Sequence, residues 1–314
     1  MRTPAGGNRD TIPVRRPQFR TANVNSIYLG QKLPAFVSLT RLDRPIGIYL
    51  LMWPMLWAFW FAADGVPHLP SLAIFLIGTV LTRSAGCAVN DYADRELDGH
   101  VARTSKRPLA TGALSGKEAL LATAILMALA FVAVLFTNAL TIKLSLAALL
   151  LALLYPFTKR YTHFPQVILG AAFGLAVPMA FAAQTNNIPG VAWGLYAAAI
   201  VWAMAYDTLY AMADRDDDLK IGIKSTAILF GRHDLLIVGL LQLAVLVILM
   251  FIGSHEQRGI AFFTGLVCAS GFVIYQLWIS RNRDSAKCLQ AFLNNNWMGM
   301  TVFLALFIDY MHKP

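Results

Sequence analysis

Charged side chains are scarce in this sequence. Asp, Glu, Lys and Arg together account for 14% of its 314 residues, whereas soluble domains typically contain about 25%. Hydrophobic residues account for 57%, and the apolar runs follow one another with only short gaps. The composition therefore excludes an ordinary soluble protein. It favours one polytopic membrane domain over the several soluble domains that the length alone would suggest.

Cysteine is also rare. Cys87, Cys268 and Cys288 lie within or beside apolar segments and have no paired spacing. Such positions predict neither a disulfide framework nor a zinc site, and small buried side chains are the simpler interpretation.

The first 40 residues lack a long apolar run, which argues against a secretory signal peptide. The segment is basic, and Asp10 is its only acidic residue. We predict that residues 1–40 form a disordered cytoplasmic tail attracted to anionic headgroups, and that residues 41–314 form the membrane domain. A mitochondrial presequence is the alternative interpretation of the tail.

Long apolar segments dominate the rest of the chain. A helix needs about 20 mostly apolar residues to cross the hydrocarbon core, and nine such segments predict an all-α, multi-pass bundle. With nine spans, 22 of the 26 lysines and arginines fall on one side, so the positive-inside rule places the N-terminus in the cytoplasm and the C-terminus outside. The net charge of +9 then reflects topology rather than nucleic-acid binding. The predicted spans are 45–63, 69–91, 117–137, 140–157, 164–183, 190–210, 234–253, 259–279 and 290–311.

A first acidic cluster follows the second span. If the helix continues, Asn90, Asp94 and Asp98 fall four residues apart on one face, with Asp91 beside them. Two bare carboxylates about 5 Å apart repel by roughly 3 kcal/mol at an effective dielectric near 20. A hard divalent cation is the natural counter-charge, and Mg²⁺ typically takes one or two carboxylates plus substrate phosphates.

A second acidic cluster closes the sixth span. Asp207, Asp214 and Asp218 lie at i, i+7 and i+11 on one helical face, and Asp217 flanks them. Both clusters belong to the cytoplasmic side, so they can face each other across the bundle. Solvated loop charges paired with nearby arginines are the simpler interpretation of either cluster alone. Basic residues that could hold phosphate oxygens follow both clusters; they are Arg103, Lys106, Arg107, Lys220 and Lys224.

These segments resemble the motifs of the UbiA-type prenyltransferase superfamily, and more narrowly its 4-hydroxybenzoate polyprenyltransferase branch. The resemblance extends over residues 40–311. The matching segments are 41–47, 90–98, 103–109, 155–159 and 206–225.

The resemblance implies an enzyme of the bacterial inner membrane, or alternatively of the mitochondrial one, whose site opens toward the cytoplasmic leaflet. It implies Mg²⁺-dependent transfer of a polyprenyl group from its diphosphate to C3 of 4-hydroxybenzoate, in ubiquinone synthesis. Tyr155 and Lys159 would contact the diphosphate, and Arg44 would steer the acceptor carboxylate. The proton acceptor stays open between diphosphate and Asp207. The implied metal ligands are Asn90, Asp91, Asp94, Asp98, Asp214 and Asp218.

Three alternatives remain. The segment from Asp98-Gly99 resembles the start of a CDP-alcohol phosphotransferase motif, but Gly116 and Leu120 stand where that motif requires aspartates. A cation transporter predicts acids along the depth of a pore, whereas these acids crowd at one end. A prenyltransferase with another acceptor (homogentisate, a naphthoate or a haem ring) keeps the same site.

Overall fold

The computed structural model describes residues 29–96, 98–100, 104–158 and 161–312. This part of the chain is helical and contains no β-strand, which confirms the predicted all-α class. Two 3₁₀ turns lie at Asp98–His100 and Gly231–His233. The α-helices of the described residues are α1 (Leu29–Leu39), α2 (Ile46–Ala63), α3 (Leu69–Asp94), α4 (Gly116–Val134), α5 (Ala139–Thr158), α6 (Pro165–Gly174), α7 (Ala176–Thr185), α8 (Gly190–Ile221), α9 (Thr226–Phe230), α10 (Asp234–His255), α11 (Ile260–Ser280) and α12 (Ser285–Met311).

Nine stretches of the described residues are long and apolar enough to cross a membrane, as predicted. The two helices that carry the acidic clusters are longer than a membrane span requires. Helix α3 has 26 residues and α8 has 32, or about 39 and 48 Å at 1.5 Å per residue. Because the hydrocarbon core is about 30 Å thick, one end of each helix can extend beyond it and carry charge.

Three local features differ from the prediction. Residues 29–39 form α1 instead of belonging to a disordered tail, because the buried Leu39 packs against Ala88 and Ala119; residues 1–28 lie outside the described residues. The fifth span is broken between α6 and α7, since Pro178 cannot donate a hydrogen bond to the preceding turn. The short helix α9 precedes α10, and the two are separated by Gly231 at a φ of 52°.

Aromatic side chains fill the centre of the bundle. Trp57 of α2 stacks on Trp202 of α8 with ring centroids 5.4 Å apart. The indole N–H of Trp57 donates to the carbonyl of Gly299 at 3.2 Å, and that of Trp202 donates to Asn295 at 3.0 Å. A bilayer offers no water to satisfy such donors, so these bonds hold α2, α8 and α12 together. Helices α4 and α5, by contrast, are mostly exposed, as expected of lipid-facing helices.

The three cysteines are free thiols, and Cys87 and Cys288 are buried. Burial is thus as predicted for these two cysteines, whereas Cys268 is exposed.

Candidate active site

A cavity lies where the ends of α3, α5, α6 and α8 meet. Its volume is about 150 Å³. Successive spans alternate in direction, so the C-terminal ends of α3, α5 and α8 share one side with the N-terminal end of α6. The two acidic clusters therefore contribute to one cavity, as predicted. The lining residues are Asn90, Asp94, Asp98, Thr104, Arg107, Tyr155, Pro165, Gln166, Asp207, Tyr210, Ala211, Asp214, Asp218, Ile223, Lys224 and Ser225.

The α3 wall of the cavity differs from the prediction in one respect. Asn90 and Asp94 share a helical face, and the Asn90 amide donates to Asp94 at 3.2 Å. Helix α3 ends at Asp94, however, so Asp98 belongs to a 3₁₀ turn and not to the same helix. Asp98 still lines the cavity because Arg107 donates to both of its carboxylate oxygens, at 3.0 and 2.9 Å.

Burial and neighbouring charges shift the pKa values of Asp98 and Arg107 in opposite directions. Burial raises the pKa of the Asp98 carboxyl above its ordinary value, and the Arg107 guanidinium only partly offsets it. Burial acts to lower the pKa of Arg107, but the carboxylates of Asp91 and Asp98 outweigh it and the pKa is raised. Arg107 is therefore a cation fixed between two carboxylates.

Asp91 is the predicted metal ligand whose position differs most. It lies one residue, or about 100°, around the helix from Asn90, and it does not line the cavity. Its carboxylate accepts two hydrogen bonds from Arg41, both at 2.9 Å, and lies 3.1 Å from Arg107. Only 2% of the Asp91 side chain is exposed. For Asp91, the simpler interpretation given in the sequence analysis therefore holds: it is an acid that pairs with nearby arginines.

The α8 wall follows the predicted spacing. Because α8 continues through residue 221, Asp207, Asp214 and Asp218 share one face and all line the cavity. The other charged residues of this segment turn away. Asp217 pairs with Lys220 at 2.9 Å, outside the cavity.

Arg215, within the second motif, also points away from the cavity. It pairs with the buried Asp234 at 2.5 Å, and Arg283 pairs with the same carboxylate at 2.8 Å. The hydrogen bond to Asp234 raises the pKa of Arg283. This cluster ties α8 to the start of α10 and to the turn before α12.

The remaining predicted residues divide into three groups. Tyr155 and Lys224 line the cavity, and the Lys224 ammonium donates to the carbonyl of Tyr161 at 3.3 Å. Arg44 does not line it: its side chain is 81% exposed and its nearest acid is the neighbouring Asp43, at 3.9 Å. Arg103 and Lys159 lie outside the described residues.

Several lining residues are not among the predicted site residues. In the sequence, the only signal for Gln166 is that it is an isolated polar residue at the start of an apolar span. In the structure, its side-chain oxygen accepts a hydrogen bond from the backbone N–H of Thr226 at 3.3 Å. The Thr104 hydroxyl donates to the carbonyl of Asp98 at 2.8 Å. Tyr210 and Ser225 fall inside the second motif without an assigned role.

The donors of the cavity suit a hard cation. In the described part of the chain, no three His, Cys, Asp or Glu side chains gather closely enough to form a metal site by themselves. The lining instead offers carboxylate and amide oxygens on two walls. Mg²⁺ commonly takes one or two carboxylates and completes its shell with water and substrate phosphates. The donor set therefore fits Mg²⁺ delivered with a phosphorylated ligand.

Fold and cavity together define a membrane-embedded helical protein with an acid-lined site at one end of its bundle. Residues 51–306 match the UbiA prenyltransferase family, and the chain belongs to this family.

Known proteins similar to this chain agree with that assignment. A Saccharophagus degradans protein named 4-hydroxybenzoate octaprenyltransferase is 55% identical over 281 residues, which cover 90% of this chain and 94% of that protein. The apo structure of a UbiA homolog from Aeropyrum pernix matches with a TM-score of 0.74 at 23% identity, covering 83% of this chain and 97% of that one. A UbiA homolog from Archaeoglobus fulgidus bound to GPP and Mg²⁺ matches with a TM-score of 0.67 at 19% identity, covering 87% and 99%. The structural matches confirm the fold.

Proposed function

We propose that this protein transfers a polyprenyl group from a polyprenyl diphosphate to C3 of 4-hydroxybenzoate and releases diphosphate. The observation that carries the proposal is the placement of Asp94 and Asp214 on two walls of one cavity. The name of the Saccharophagus relative, 55% identical to this chain, supports the acceptor. The transporter alternative is less well supported, because the lining acids lie at one end of the bundle.

Diphosphate and Mg²⁺ would occupy the acid-lined cavity together. Asn90, Asp94 and Asp98 would hold the metal from the α3 side, and Asp214 and Asp218 from the α8 side. The Archaeoglobus homolog bound to GPP and Mg²⁺ supports this pairing of ligand and metal. Arg107, Tyr155 and Lys224 would contact phosphate oxygens, with Arg103 and Lys159 as further candidates. We assign Asp91 a positioning role, because it fixes Arg107 from outside the cavity.

The reaction itself requires charge stabilisation and exclusion of water. When bound, Mg²⁺ supplies positive charge to the departing diphosphate. The carbon–oxygen bond to diphosphate breaks and leaves an allylic cation, the ring carbon ortho to the acceptor hydroxyl forms the new bond, and the proton on that carbon leaves to restore aromaticity. Asp207, which lines the cavity, and diphosphate itself are both candidates for taking this proton. The apolar bundle keeps water from the cation.

The test uses the purified full chain in detergent with 4-hydroxybenzoate and octaprenyl diphosphate, with Mg²⁺ or with excess EDTA. We expect 3-octaprenyl-4-hydroxybenzoate only in the presence of Mg²⁺, since the acids repel an unaccompanied diphosphate. Homogentisate and 1,4-dihydroxy-2-naphthoate serve as comparison acceptors. Mg²⁺-dependent binding of the diphosphate without this product would overturn the acceptor, and loss of that binding would overturn the site.

We further propose that the N-terminus faces the cytoplasm and the C-terminus the outside of a bacterial inner membrane. The odd number of spans in the described residues supports termini on opposite sides. The excess of Lys and Arg on the N-terminal side supports a cytoplasmic N-terminus, and the bacterial source of the Saccharophagus relative supports the kind of membrane. Alkaline phosphatase matures only outside the cytoplasm. A fusion after Pro314 should therefore be active, and so should a fusion after Asn186, in the connection following the fifth span. A fusion after Gly222 should be inactive. An inactive C-terminal fusion with an active fusion at Gly222 would reverse the assigned orientation.

A further inference from the structure

The short segment that follows α8 forms part of the cavity wall. Helix α8 is capped by Gly222 at a φ of 72°, a left-handed conformation that favours glycine, and the chain turns there. In the next four residues, 223–226, which we call the wall segment, Lys224 and Ser225 line the cavity. Lys224 is proposed above to contact phosphate oxygens, whereas Ser225 has no role in the chemistry described so far.

A pair of buried hydroxyl groups fixes the wall segment to α8. The side-chain oxygens of Thr208 and Thr226 lie 2.7 Å apart, and both residues are fully buried. The Thr208 hydroxyl also donates its single proton to the carbonyl of Met204, at 2.6 Å. Thr226 is therefore the donor to Thr208, and the two bonds form a chain that runs from the wall segment into the helix.

A third side chain holds the same threonine from α6. The side-chain oxygen of Gln166, a buried residue of the cavity wall, accepts a hydrogen bond from the backbone N–H of Thr226 at 3.3 Å. Thr226 is thus held through its backbone by α6 and through its hydroxyl by α8. Because buried polar groups are costly to leave without a partner, this double attachment fixes the residue that directly precedes Thr226.

That residue is Ser225, and its hydroxyl is suited to a phosphate oxygen. Ser225 is 3% exposed and lines the cavity. As the N-cap of α9, its side-chain oxygen accepts a hydrogen bond from the backbone N–H of Ile228 at 3.4 Å. A serine hydroxyl that accepts through its oxygen keeps its proton for another acceptor. The ligand proposed for this cavity, a diphosphate, supplies such an acceptor.

We infer that Ser225 is a further residue that binds the diphosphate. Thr208, Thr226 and Gln166 act through it as positioning residues. This inference rests on the proposed function and deepens it. A hydroxyl group donates to a phosphate oxygen without adding charge, so Ser225 complements the cation of the neighbouring Lys224. The acids of the cavity hold the metal, and the wall segment binds the diphosphate itself.

The test measures Mg²⁺-dependent binding of inorganic diphosphate to the purified full chain in detergent, by isothermal titration calorimetry. We expect Ser225→Ala, Thr208→Val and Thr226→Val each to raise the Kd about three- to tenfold, the effect of losing one hydrogen bond. Thr208→Ser and Thr226→Ser keep the hydroxyl group, so their Kd should stay within about twofold of that of the unmodified protein.

A combined variant separates positioning from a general loss of structure. If Thr208 acts through Ser225, the Kd of the variant that carries both Thr208→Val and Ser225→Ala should rise by less than the product of the two single effects, whereas unrelated changes multiply. In turnover assays, the KM for 4-hydroxybenzoate should stay within about twofold in the single variants, because the lost bond lies on the diphosphate side.

Thr123→Val is the matched control. Thr123 also donates to the carbonyl four residues before it, that of Ala119 at 2.9 Å, but it belongs to the lipid-facing helix α4, so its Kd should not change. The valine variants of the pair should fold, because Arg215 donates to the carbonyl of Ala227 and keeps the wall segment on α8. If Thr208→Val cannot be purified, Thr226→Val tests the same pair, since Thr208 keeps its bond to Met204 in that variant.

Other results would overturn the inference. An unchanged Kd in Ser225→Ala would remove the residue from the diphosphate site. Serine variants as weak as the valine variants, or full multiplication of the effects in the combined variant, would remove the positioning role. Failure of the proposed function has a separate signature, because the binding assay contains no aromatic acceptor. A wrong acceptor leaves every Kd as expected, whereas unmodified protein that binds no diphosphate with Mg²⁺ overturns the site and this inference together.

Discussion

Replacing Asp94 or Asp214 by asparagine is expected to lower kcat by about 10²–10³, the range found when one charge-stabilising group is removed from an active site. Asparagine preserves the shape of the side chain and one oxygen donor but removes the negative charge. The two residues lie on separate helices that line the same cavity. Each variant should therefore weaken one half of the same metal–diphosphate site. Rates at saturating 4-hydroxybenzoate and octaprenyl diphosphate, measured across a Mg²⁺ titration, should show lower kcat and a higher Mg²⁺ requirement in both.

Asp217→Asn is the matched control for this experiment. Asp217 lies on the same helix as Asp214, three residues further on, but it pairs with Lys220 outside the cavity. Exposed ion pairs contribute about 0–1 kcal/mol to stability, so this variant should retain activity within about twofold. Normal turnover in Asp94→Asn or Asp214→Asn would remove that residue from the metal site. Equal losses in all three variants would indicate a general effect of acidity at this end of the bundle.

The membrane spans and the α8 wall could be predicted because local sequence determines them. An apolar run of about 20 residues has one stable solution in a bilayer, since its backbone must form hydrogen bonds within the segment. Once such a helix continues past the membrane surface, the spacing of Asp207, Asp214 and Asp218 determines their common face. No contact with another part of the chain is needed for that result.

The α3 wall depends on distant contacts, and its prediction was less complete. Asp91 directly follows Asn90 in the sequence, but its partner Arg41 is 50 residues away. Only the folded arrangement of α1, α3 and their connections brings these two residues together. Asp98 likewise lies in a separate turn after the end of α3, where Arg107 donates to its carboxylate. Sequence spacing alone could not show whether the helix continues to Asp98 or ends before it, with Asp98 held by an arginine instead.

Arg83 shows the same limit in another form. Its presence inside a span is visible in the sequence, and such a residue is a candidate for function on that ground alone. What the sequence does not give is the set of neighbours. Phe173 and Tyr206 come from helices that are distant in the chain, and only the folded bundle brings them to Arg83.

The ion pairs around Arg107 lead to the second large expected effect. Arg107 is 17% exposed and lies between the carboxylates of Asp91 and Asp98, which are 2% and 7% exposed. Removing one partner of a buried pair typically costs about 3–5 kcal/mol, because the other charge stays buried without compensation. We therefore expect Arg107→Gln to lower the free energy of unfolding by an amount of that order, in addition to any loss of diphosphate binding.

The thermal unfolding midpoint in detergent measures this effect without reference to activity. Combining Arg107→Gln with Asp91→Asn should recover part of the lost stability, since the second change removes one of the uncompensated carboxylates; two unrelated destabilising changes would add instead. Arg95→Gln is the control, because Arg95 is an exposed arginine whose pair with Glu96 is also exposed. If Arg107→Gln unfolds at the same temperature as this control but is inactive, Arg107 acts on the diphosphate alone. The Asp91 carboxylate would then be held by Arg41, and our proposal that Asp91 positions Arg107 would be wrong.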